Sequence, residues 1–486
     1  MNTNREFWLI TGSQHLYGED TLDQVRGNAE EIAGTLSDTL PFPLRAKKVV
    51  TTEEEITAVC REANAAPECA GVIMWMHTFS PAKRWIQGLI ELKKPMLHFH
   101  TQHHESIPWE TIDMDFMNLN QSAHGDREFG FIATRLKKNR RVIAGHWKHS
   151  GTQQEIAGWM RTMTAVQESR QLKVARIGDN MRGVAVTEGD KVQAQQDFGW
   201  TVDGFGIGDI NQAAGQFTDS DVEQRFTEYK EMYHIPEGKM SDSSFKQSVL
   251  GQARIELGIE IFLKENGYHA FTTTFEDLYG MDQLPGLAAQ RLMEKGYGFA
   301  GEGDWKTAAL LRMIKTLTNN ERTSFMEDYT YHFTPEGVQV LGSHMLEVCP
   351  TIAADTPEVA VHPLGIGGKN NPARLIFDGI QGEAVNVSLV DMGGRFRFIL
   401  NEVTAVSIPG KTPELPVAKV LWEPKPDFKT AAEAWIYAGG AHHTVLSFSC
   451  TKHEIADLAE AFDIELVCID DHTDLFHFRQ AMKQLT

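Results

Sequence analysis

Cysteine is scarce in this sequence. Its five cysteines stand far apart and contain no C-x-x-C pair; they are Cys60, Cys69, Cys349, Cys450 and Cys468. Such spacing argues against a disulfide framework and against a short-motif structural zinc site, and it is typical of reduced cysteines. We therefore expect a cytoplasmic protein.

Long apolar runs and excess basic charge are also missing. No stretch approaches the ~20 apolar residues that a membrane-spanning helix needs. The opening MNTNREFWLITG lacks the basic and apolar regions of a secretory signal, so we expect none. The net charge is −20, from 66 acidic and 46 basic residues, which repels phosphate backbones and anionic lipid. We expect neither nucleic acid nor membrane as a partner; a neutral small molecule or a cation suits this charge.

The length and the pattern of the chain predict about three domains, at residues 1–171, 172–322 and 323–486. In the first two, short apolar runs alternate with helical patterns, which predicts parallel sheets with crossover helices. After about residue 322, short alternating segments with glycine turns predict an antiparallel barrel or sandwich, and a helix–strand–helix follows from about residue 430. One helical pattern runs through Leu22, Val25, Ala29, Ile32, Ala33 and Leu36.

Two helix starts are predicted from capping residues. Thr52 and Glu55 have the spacing of a capping box. In SPAKRW, Ser80 is predicted to cap a helix whose first residue is Pro81.

Four segments set ionisable residues among apolar or glycine neighbours: YGFAGEGDWKTAALL, SFMEDYTYHF, LGSHMLEVCP and AGGAHHTVLSF. They contain Glu302, Glu327, His344 and the pair His442–His443. A charged side chain that faces a core must be paired, bind a metal or shift its pKa. Because adjacent residues of a strand point to opposite faces, at most one histidine of the pair is expected to face a common site.

Each of these residues also has a purely structural interpretation. The glycines beside Glu302 allow either close approach to a ligand or a turn before a helix capped by Asp304. Glu327 fits a buried site or an exposed edge strand equally well. The intervals lack short metal motifs, so the fold must bring the residues together. If it does, two carboxylates and two imidazoles suit Mn²⁺ or a similar divalent ion.

Other polar segments follow predicted strands, where open α/β sheets bind ligands. Gln14 and His15 in TGSQHLYG are balanced between a substrate contact and a turn. Gln121 and His124 in NQSAHGDREFG are equally ambiguous. The four histidines of LHFHTQHH favour loop positions over a metal tract. GIGGKNNPAR lacks the spacing of a phosphate-binding loop.

Taken together, the motifs resemble a known family. GSQHLYG, HTFSPAKRWI, DMDFMNLNQSAHGDREFGF, RIGDNMR, FTTTFEDL, GYGFAGEGDWKTAALLR, SFMEDYTYHF, GSHMLEVCP, LGIGGKNNPARLIF and AWIYAGGAHHTV are similar, in this order, to the L-arabinose isomerases. These motifs are specific to the L-arabinose isomerases within the wider superfamily that includes L-fucose isomerase. The resemblance implies two Rossmann/flavodoxin-like α/β domains followed by a C-terminal antiparallel β-barrel domain. The implied reaction converts L-arabinose to L-ribulose, the first step of L-arabinose catabolism.

The resemblance also implies the residues of the site. One Mn²⁺ per subunit, with Co²⁺ or Mg²⁺ as substitutes, is expected on Glu302, Glu327, His344 and His443. The two glutamates are expected to be the acid/base pair, and the choice of His443 over His442 comes from the resemblance alone. An ene-diol route is implied, with a metal-assisted hydride shift as the alternative.

The sugar pocket and the assembly are implied in the same way. Gln121 and His124 belong to a segment that in the family reaches a neighbouring subunit's site, in trimers that commonly pair into hexamers. The remaining pocket residues implied are Gln14, Leu16, Met181, Phe275 and Ile366.

Three rival functions remain at this point. The same chemistry could act on L-fucose or D-galactose, and a sugar-binding or sensing protein could keep the fold without turnover. A metal-dependent hydrolase would fit the ligand set but not the family resemblance.

Overall fold

The computed structural model describes residues 5–335, 337–365 and 368–484. Ile366, which the resemblance places in the sugar pocket, lies outside these residues. The chain divides into two compact units, Met1–Gln167 and Glu168–Thr486, and each is described by itself.

The first unit is built on a parallel five-stranded sheet. Its strand order is β2-β1-β3-β4-β5, the flavodoxin-like order in which ligand sites lie at the carboxyl ends of the strands. The strands are β1 Glu6–Gly12, β2 Leu44–Ala46, β3 Cys69–Met76, β4 Met96–His100 and β5 Arg141–Ala144. The helices are α1 Glu19–Ser37, α2 Glu53–Ala65, α3 Ile86–Glu91, α4 Met114–Leu119, α5 Ser122–Arg135 and α6 Ser150–Ser169.

The predicted helix patterns of the first unit are largely confirmed. All six apolar positions of the α1 pattern are buried. Thr52 caps α2 by accepting a hydrogen bond from the amide of Glu55, while the Glu55 carboxylate accepts from Thr51 and not from Thr52.

The predicted cap at Ser80 is wrong. Pro81 precedes a short 3₁₀ helix, Ala82–Trp85, and is not part of it. The Ser80 hydroxyl instead accepts a hydrogen bond from the buried indole of Trp85, at 2.9 Å. The side chain is engaged in the core and is not available to cap the helix.

The second unit begins with a parallel four-stranded sheet in the order β7-β6-β8-β9. Its strands are β6 Lys173–Ile177, β7 Thr201–Phe205, β8 Ala270–Thr273 and β9 Gly298–Ala300. The helices are α7 Lys191–Phe198, α8 Ile207–Ala214, α9 Asp219–Met232, α10 Ser243–Asn266, α11 Gly286–Glu294 and α12 Trp305–Leu317.

The same unit continues into a closed antiparallel barrel of six strands, which confirms the predicted fold class. Hydrogen bonding runs β14-β17-β10-β11-β16-β15 and returns to β14, and β18 adds to β15 in parallel. The strands after the second sheet are β10 Thr323–Thr334, β11 Gly337–Ser343, β12 Glu358–Val361, β13 Ala373–Ile376, β14 Gly382–Asp391, β15 Phe396–Val406, β16 Lys419–Pro424, β17 His443–Ser447 and β18 Glu465–Ile469. The last helices are α13 Phe428–Ala438, α14 Lys452–Phe462 and α15 Leu475–Gln484.

The barrel and helices α9, α10 and α11 pack their apolar side chains into one shared cluster. Met326, Val420, Trp422 and Leu446 of the barrel are almost fully buried. Among the helices that the structure describes, none combines the length and apolar character needed to span a bilayer.

Candidate active site

Glu302 lies in the loop between β9 and α12, at the carboxyl end of the second parallel sheet. Its backbone is left-handed, with φ of 60°, which is uncommon for a residue with a side chain. Its carbonyl oxygen accepts a hydrogen bond from the amide of Met181 at 2.9 Å. The loop therefore turns sharply and presents the carboxylate at the sheet edge where α/β proteins bind ligands.

The glycines beside Glu302 are required by contacts within the protein. A Cβ on residue 301 would stand 2.9 Å from His344 Cε1, and one on residue 303 would stand 2.5 Å from the carbonyl oxygen of Asp179. The expected close approach exists, but the groups that make it belong to the chain itself. Asp304 also caps α12 as expected, by accepting from the amide of Thr307.

Barrel pairing brings Glu327 and the histidine segments together. Glu327 on β10 pairs with Ser343 on β11 and with His443 on β17. His344 follows Ser343 directly, and its Nε2 lies 4.0 Å from Glu327 Oε2. β10 is hydrogen-bonded on both sides, so Glu327 is not on an edge strand, although 22% of its side chain remains accessible.

Both histidines of the adjacent pair face Glu302, so the expectation that one of them turns away is wrong. Glu302 Oε2 lies 3.4 Å from His442 Nε2 and 3.9 Å from His443 Nε2. β17 begins at His443, so His442 is still in the preceding turn and is not bound by strand alternation. His443 is fully buried, whereas the His442 side chain is 35% exposed.

Two carboxylates that were not predicted as site residues orient the buried histidines. Glu347 Oε2 lies 2.6 Å from His344 Nδ1, and Asp304 Oδ2 lies 3.1 Å from His443 Nδ1. Metal-binding histidines commonly donate one ring N–H to a carboxylate, which leaves the other nitrogen as the ligand. The buried Nε2 of His443 has no hydrogen-bond partner among the described residues, as expected of a ligand atom facing an ion site.

The charges of the site are coupled. The hydrogen bond with His442 lowers the pKa of Glu302 and raises the pKa of His442. Burial acts to lower the pKa of His344, but the adjacent Glu347 carboxylate raises it above its ordinary value. Burial lowers the pKa of His443, which favours the neutral ring that a metal ligand needs.

A cavity of about 220 Å³ opens beside these side chains. Glu302, Glu327 and His344 form its polar wall, and the predicted pocket residues Met181 and Phe275 contribute to its apolar wall. The volume and the mixed lining suit a small polar ligand.

The remaining predicted pocket residues that the structure describes lie in the first unit. Gln14 is almost buried before a 3₁₀ helix, whereas Leu16 within that helix is 81% exposed. The Tyr17 hydroxyl donates to Gln121 Oε1 at 3.4 Å, so the two predicted segments of this unit meet. His124 packs on Phe79, with ring centroids 4.7 Å apart.

Among the described residues, two groups of side chains could hold a metal ion. One is Glu302 with His442 and His443; the other is Glu105 with His146 and His149 in the first unit. In the second group the exposed side chains of Glu105 and His149 are in contact, with Oε1 3.1 Å from Nε2. The first group lies beside the cavity and next to Glu327 and His344, and its oxygen and imidazole donors fit a divalent ion such as Mn²⁺.

The histidine-rich segment LHFHTQHH and the glycine-rich segment GIGGKNNPAR make contacts within the fold. His98 and His100 of LHFHTQHH both bond the buried carboxylate of Asp126, each at 2.8 Å. Lys369 of GIGGKNNPAR donates to the carbonyl oxygen of Leu278 at 2.6 Å.

The fold and the matches to known proteins define an aldose–ketose isomerase. Models described as the L-arabinose isomerase N-terminal, central and C-terminal domains match residues 1–171, 173–320 and 322–465. The chain belongs to the L-arabinose isomerase family.

Curated relatives agree over nearly the full chain. The L-arabinose isomerase of Anoxybacillus flavithermus is 57% identical over 480 residues, which cover 98% of this chain and 96% of the relative. That of Geobacillus stearothermophilus is 58% identical over 480 residues, covering 98% and 97%. A solved glucose-galactose binding protein from Geobacillus stearothermophilus matches 65% of this chain and 91% of its own, at only 13% identity and a TM-score of 0.16.

Proposed function

We propose that this protein converts L-arabinose to L-ribulose at the cavity beside Glu302 and Glu327. The observation that supports this most, on a chain of this family, is that Glu302, Glu327 and His344 line one small cavity. His443 lies next to them, with its Nε2 3.9 Å from Glu302 Oε2 and its ring 5.7 Å from that of His344. Two carboxylates beside imidazoles with free nitrogens can bind an ion and transfer protons.

The metal we propose is one Mn²⁺ per subunit, for which Co²⁺ or Mg²⁺ can substitute. Glu302, Glu327, His344 and His443 would hold it. When bound, such an ion withdraws electron density from the carbonyl and hydroxyl groups at which isomerisation occurs. Glu347 and Asp304 lie beside the Nδ1 atoms of the two histidines and would hold the ring protons there, which would leave each Nε2 available to bind the ion.

The mechanism we propose is proton transfer through an ene-diol. One of Glu302 and Glu327 takes the proton from C2 and returns it to C1, while the other moves a proton from the C2 oxygen to the C1 oxygen. Reaction of C2-deuterated L-arabinose tests this route. Complete retention of deuterium at C1, without exchange with solvent, would favour the hydride shift instead.

The residues that we propose to orient the open-chain sugar are those implied by the family resemblance. Met181, Phe275 and Ile366 would contact its carbon chain, and Gln14 and Leu16 are further proposed sugar-pocket residues. Gln121 and His124 would complete the site of a neighbouring subunit.

The family resemblance supports further proposals. We propose three domains at 1–171, 172–322 and 323–486, an assembly of trimers or paired trimers, and a cytoplasmic location. Sedimentation of the purified protein tests the assembly, and a stable monomer with full activity would contradict it.

The direct test is a ketose assay on L-arabinose, with and without a chelator. Glu302→Gln and Glu327→Gln keep the side-chain shape but remove basicity, and activity should fall by ~10²–10⁴. Glu423→Gln is the matched control, because Glu423 lies on a barrel strand and bonds Gln339 away from the cavity. Near-normal turnover in either site variant would refute the acid/base assignment, and faster turnover of L-fucose or D-galactose would refute the substrate.

A further inference from the structure

The segment between β6 and α7 is joined to the loop that carries Glu302. The amide of Met181 donates to the carbonyl oxygen of Glu302 at 2.9 Å. The side-chain amide of Asn180 donates to the carbonyl oxygen of Gly303 at 3.1 Å. Neighbouring residues of this segment therefore hold two successive peptide groups, Glu302–Gly303 and Gly303–Asp304.

Asn180 is buried, with 5% of its surface exposed, and its side-chain amide is fully used. Its second N–H donates to the carbonyl oxygen of Thr187 at 2.6 Å, and its oxygen accepts from Arg176 at 2.7 Å. One side chain thus connects the end of β6, the 3₁₀ turn at Thr187 and the Glu302 loop.

Lys306 fixes the far end of the same segment. Its buried ammonium group donates to three successive carbonyl oxygens, those of Val186 at 3.0 Å, Thr187 at 2.9 Å and Glu188 at 2.7 Å. The turn at Thr187, which accepts a hydrogen bond from Asn180, is therefore also bonded to the first turn of α12.

The left-handed backbone of Glu302 explains why these hydrogen bonds to its loop matter. A left-handed backbone at a residue other than glycine persists where surrounding contacts determine it, and such residues concentrate at functional sites. Gly303 is also left-handed, with φ of 76°, and a Cβ there would stand 2.6 Å from Asn180 Cα. The loop and the Asn180 segment are fitted to each other at close range.

We propose that Asn180 is a positioning residue that holds the Glu302 carboxylate where it binds the divalent ion. The inference rests on the proposed metal site. The Asn180 side chain holds the Gly303 carbonyl and the neighbouring Met181 amide holds that of Glu302, so the segment sets the direction in which the carboxylate leaves the chain. A ligand fixed before the ion arrives binds more tightly than one that must be ordered on binding.

The test is a double-mutant cycle on Mn²⁺ binding to metal-free protein, measured from the electron paramagnetic resonance of free Mn²⁺. Asn180→Asp keeps the shape of the side chain and removes both N–H donors. Alone it should weaken Mn²⁺ binding by ~10–100-fold, the range found for residues that orient metal ligands. In the Glu302→Gln background the same change should have an effect of less than about twofold, because coupled residues are not additive.

Asn211→Asp is the matched control. Asn211 also donates its side-chain amide to a glycine carbonyl oxygen, that of Gly280 at 3.2 Å, outside the site. The Asn211→Asp variant should leave the Mn²⁺ dissociation constant unchanged. If Asn180→Asp does not fold, judged by circular dichroism, Asn180→Ala removes the donors without adding charge and is measured in the same cycle.

The outcomes separate the two proposals. A full effect of the Asn180 change in the Glu302→Gln background would overturn the positioning role, and so would an unchanged dissociation constant in the single variant. If Glu302→Gln itself binds Mn²⁺ as tightly as the unchanged protein, the proposed metal site fails and the inference fails with it.

Discussion

At the scale of single residues, the carboxylate of Glu347 determines which nitrogen of His344 faces the cavity. It lies 2.6 Å from Nδ1, and it also accepts the amide of Leu346 at 3.2 Å, so its own position is fixed. A ring oriented in this way presents Nε2 as an electron-pair donor without rearrangement. Asp304 has the same relation to His443, and the adjacent Lys306 and the cap of α12 keep it in place.

Replacing Glu347 should therefore weaken metal binding without touching a ligand. Glu347→Leu removes the acceptor, and we expect the Mn²⁺ dissociation constant to rise by ~10–100-fold. Glu347→Gln keeps a neutral acceptor oxygen and should have a smaller effect. Titration of metal-free protein measures both, with Glu423→Gln as the control; equal affinities in all three variants would contradict the orienting role.

His77 in the first unit should make stability depend on pH. Burial lowers the pKa of this histidine to about 3 from an ordinary value of 6.5, and its Nε2 lies 2.7 Å from the side-chain amide of Asn28. Below pH 6.5 the unfolded chain takes up a proton that the folded one excludes, so stability falls as the pH falls toward 3. The slope contributed is ~1.4 kcal/mol per pH unit.

The comparison that checks this is the free energy of unfolding in urea between pH 7 and pH 4, for the unchanged protein and for His77→Gln. The substituted protein should show the shallower dependence. Parallel curves would mean that His77 is charged in the folded state or that its surroundings rearrange to accept a proton.

The sequence identified the candidate ligands but not the residues that orient them. Glu302, Glu327, His344 and His443 follow from long motifs of the family. Glu347 stands three residues after His344 in SHMLE, at a spacing that fits many local contacts and specifies none. Asp304 and His443 are 139 residues apart, and their contact depends on the packing of α12 against β17.

At the scale of elements, α1 shows what the pattern of a helix predicts well. Its apolar stripe is buried as predicted, because a spacing of three and four residues keeps one face against the sheet. The start of β17 shows the opposite case. Because β17 begins at His443, His442 lies one residue before the strand and does not follow its alternation. Sequence patterns do not define the ends of strands to within one residue.

Gly27 on the exposed face of α1 offers a test at this scale. A Cβ at this position meets no atom within 4 Å, so Gly27→Ala adds no clash. Because glycine in a helix costs ~0.5–1 kcal/mol relative to alanine, the change should raise the free energy of unfolding by that amount.

Gly199→Ala is the contrasting variant for the same measurement. Gly199 ends α7 with φ of 82°, and a Cβ there would stand 2.8 Å from the backbone of Arg170. It should destabilise the protein. Equal changes in the free energy of unfolding for Gly27→Ala and Gly199→Ala would contradict this explanation from local backbone conformation and contacts.

At the scale of the whole molecule, helix α12 explains why the second sheet and the barrel form one compact unit. The helix is buried along almost its whole length and packs on β6, β8 and β9 of the sheet and on β10, β14 and β17 of the barrel. Glu302 and Asp304 lie just before its first residue, and His443 lies on one of the barrel strands that it contacts. The site therefore forms where α12 begins, which is why its residues are so widely separated in sequence.

The proposed assembly predicts that each active site needs residues from two subunits. If Gln121 of one subunit completes the site that Glu302 of its neighbour begins, two inactive variants should restore activity when they share an oligomer. Subunits with Glu302→Gln and subunits with Gln121→Ala, co-expressed with different tags and purified through both, test this. In a ring of three subunits that contains both variants, one site in three has both intact residues, so about a third of full activity should return. Activity no higher than that of the two variants mixed as separate oligomers would place Gln121 outside the neighbour's site.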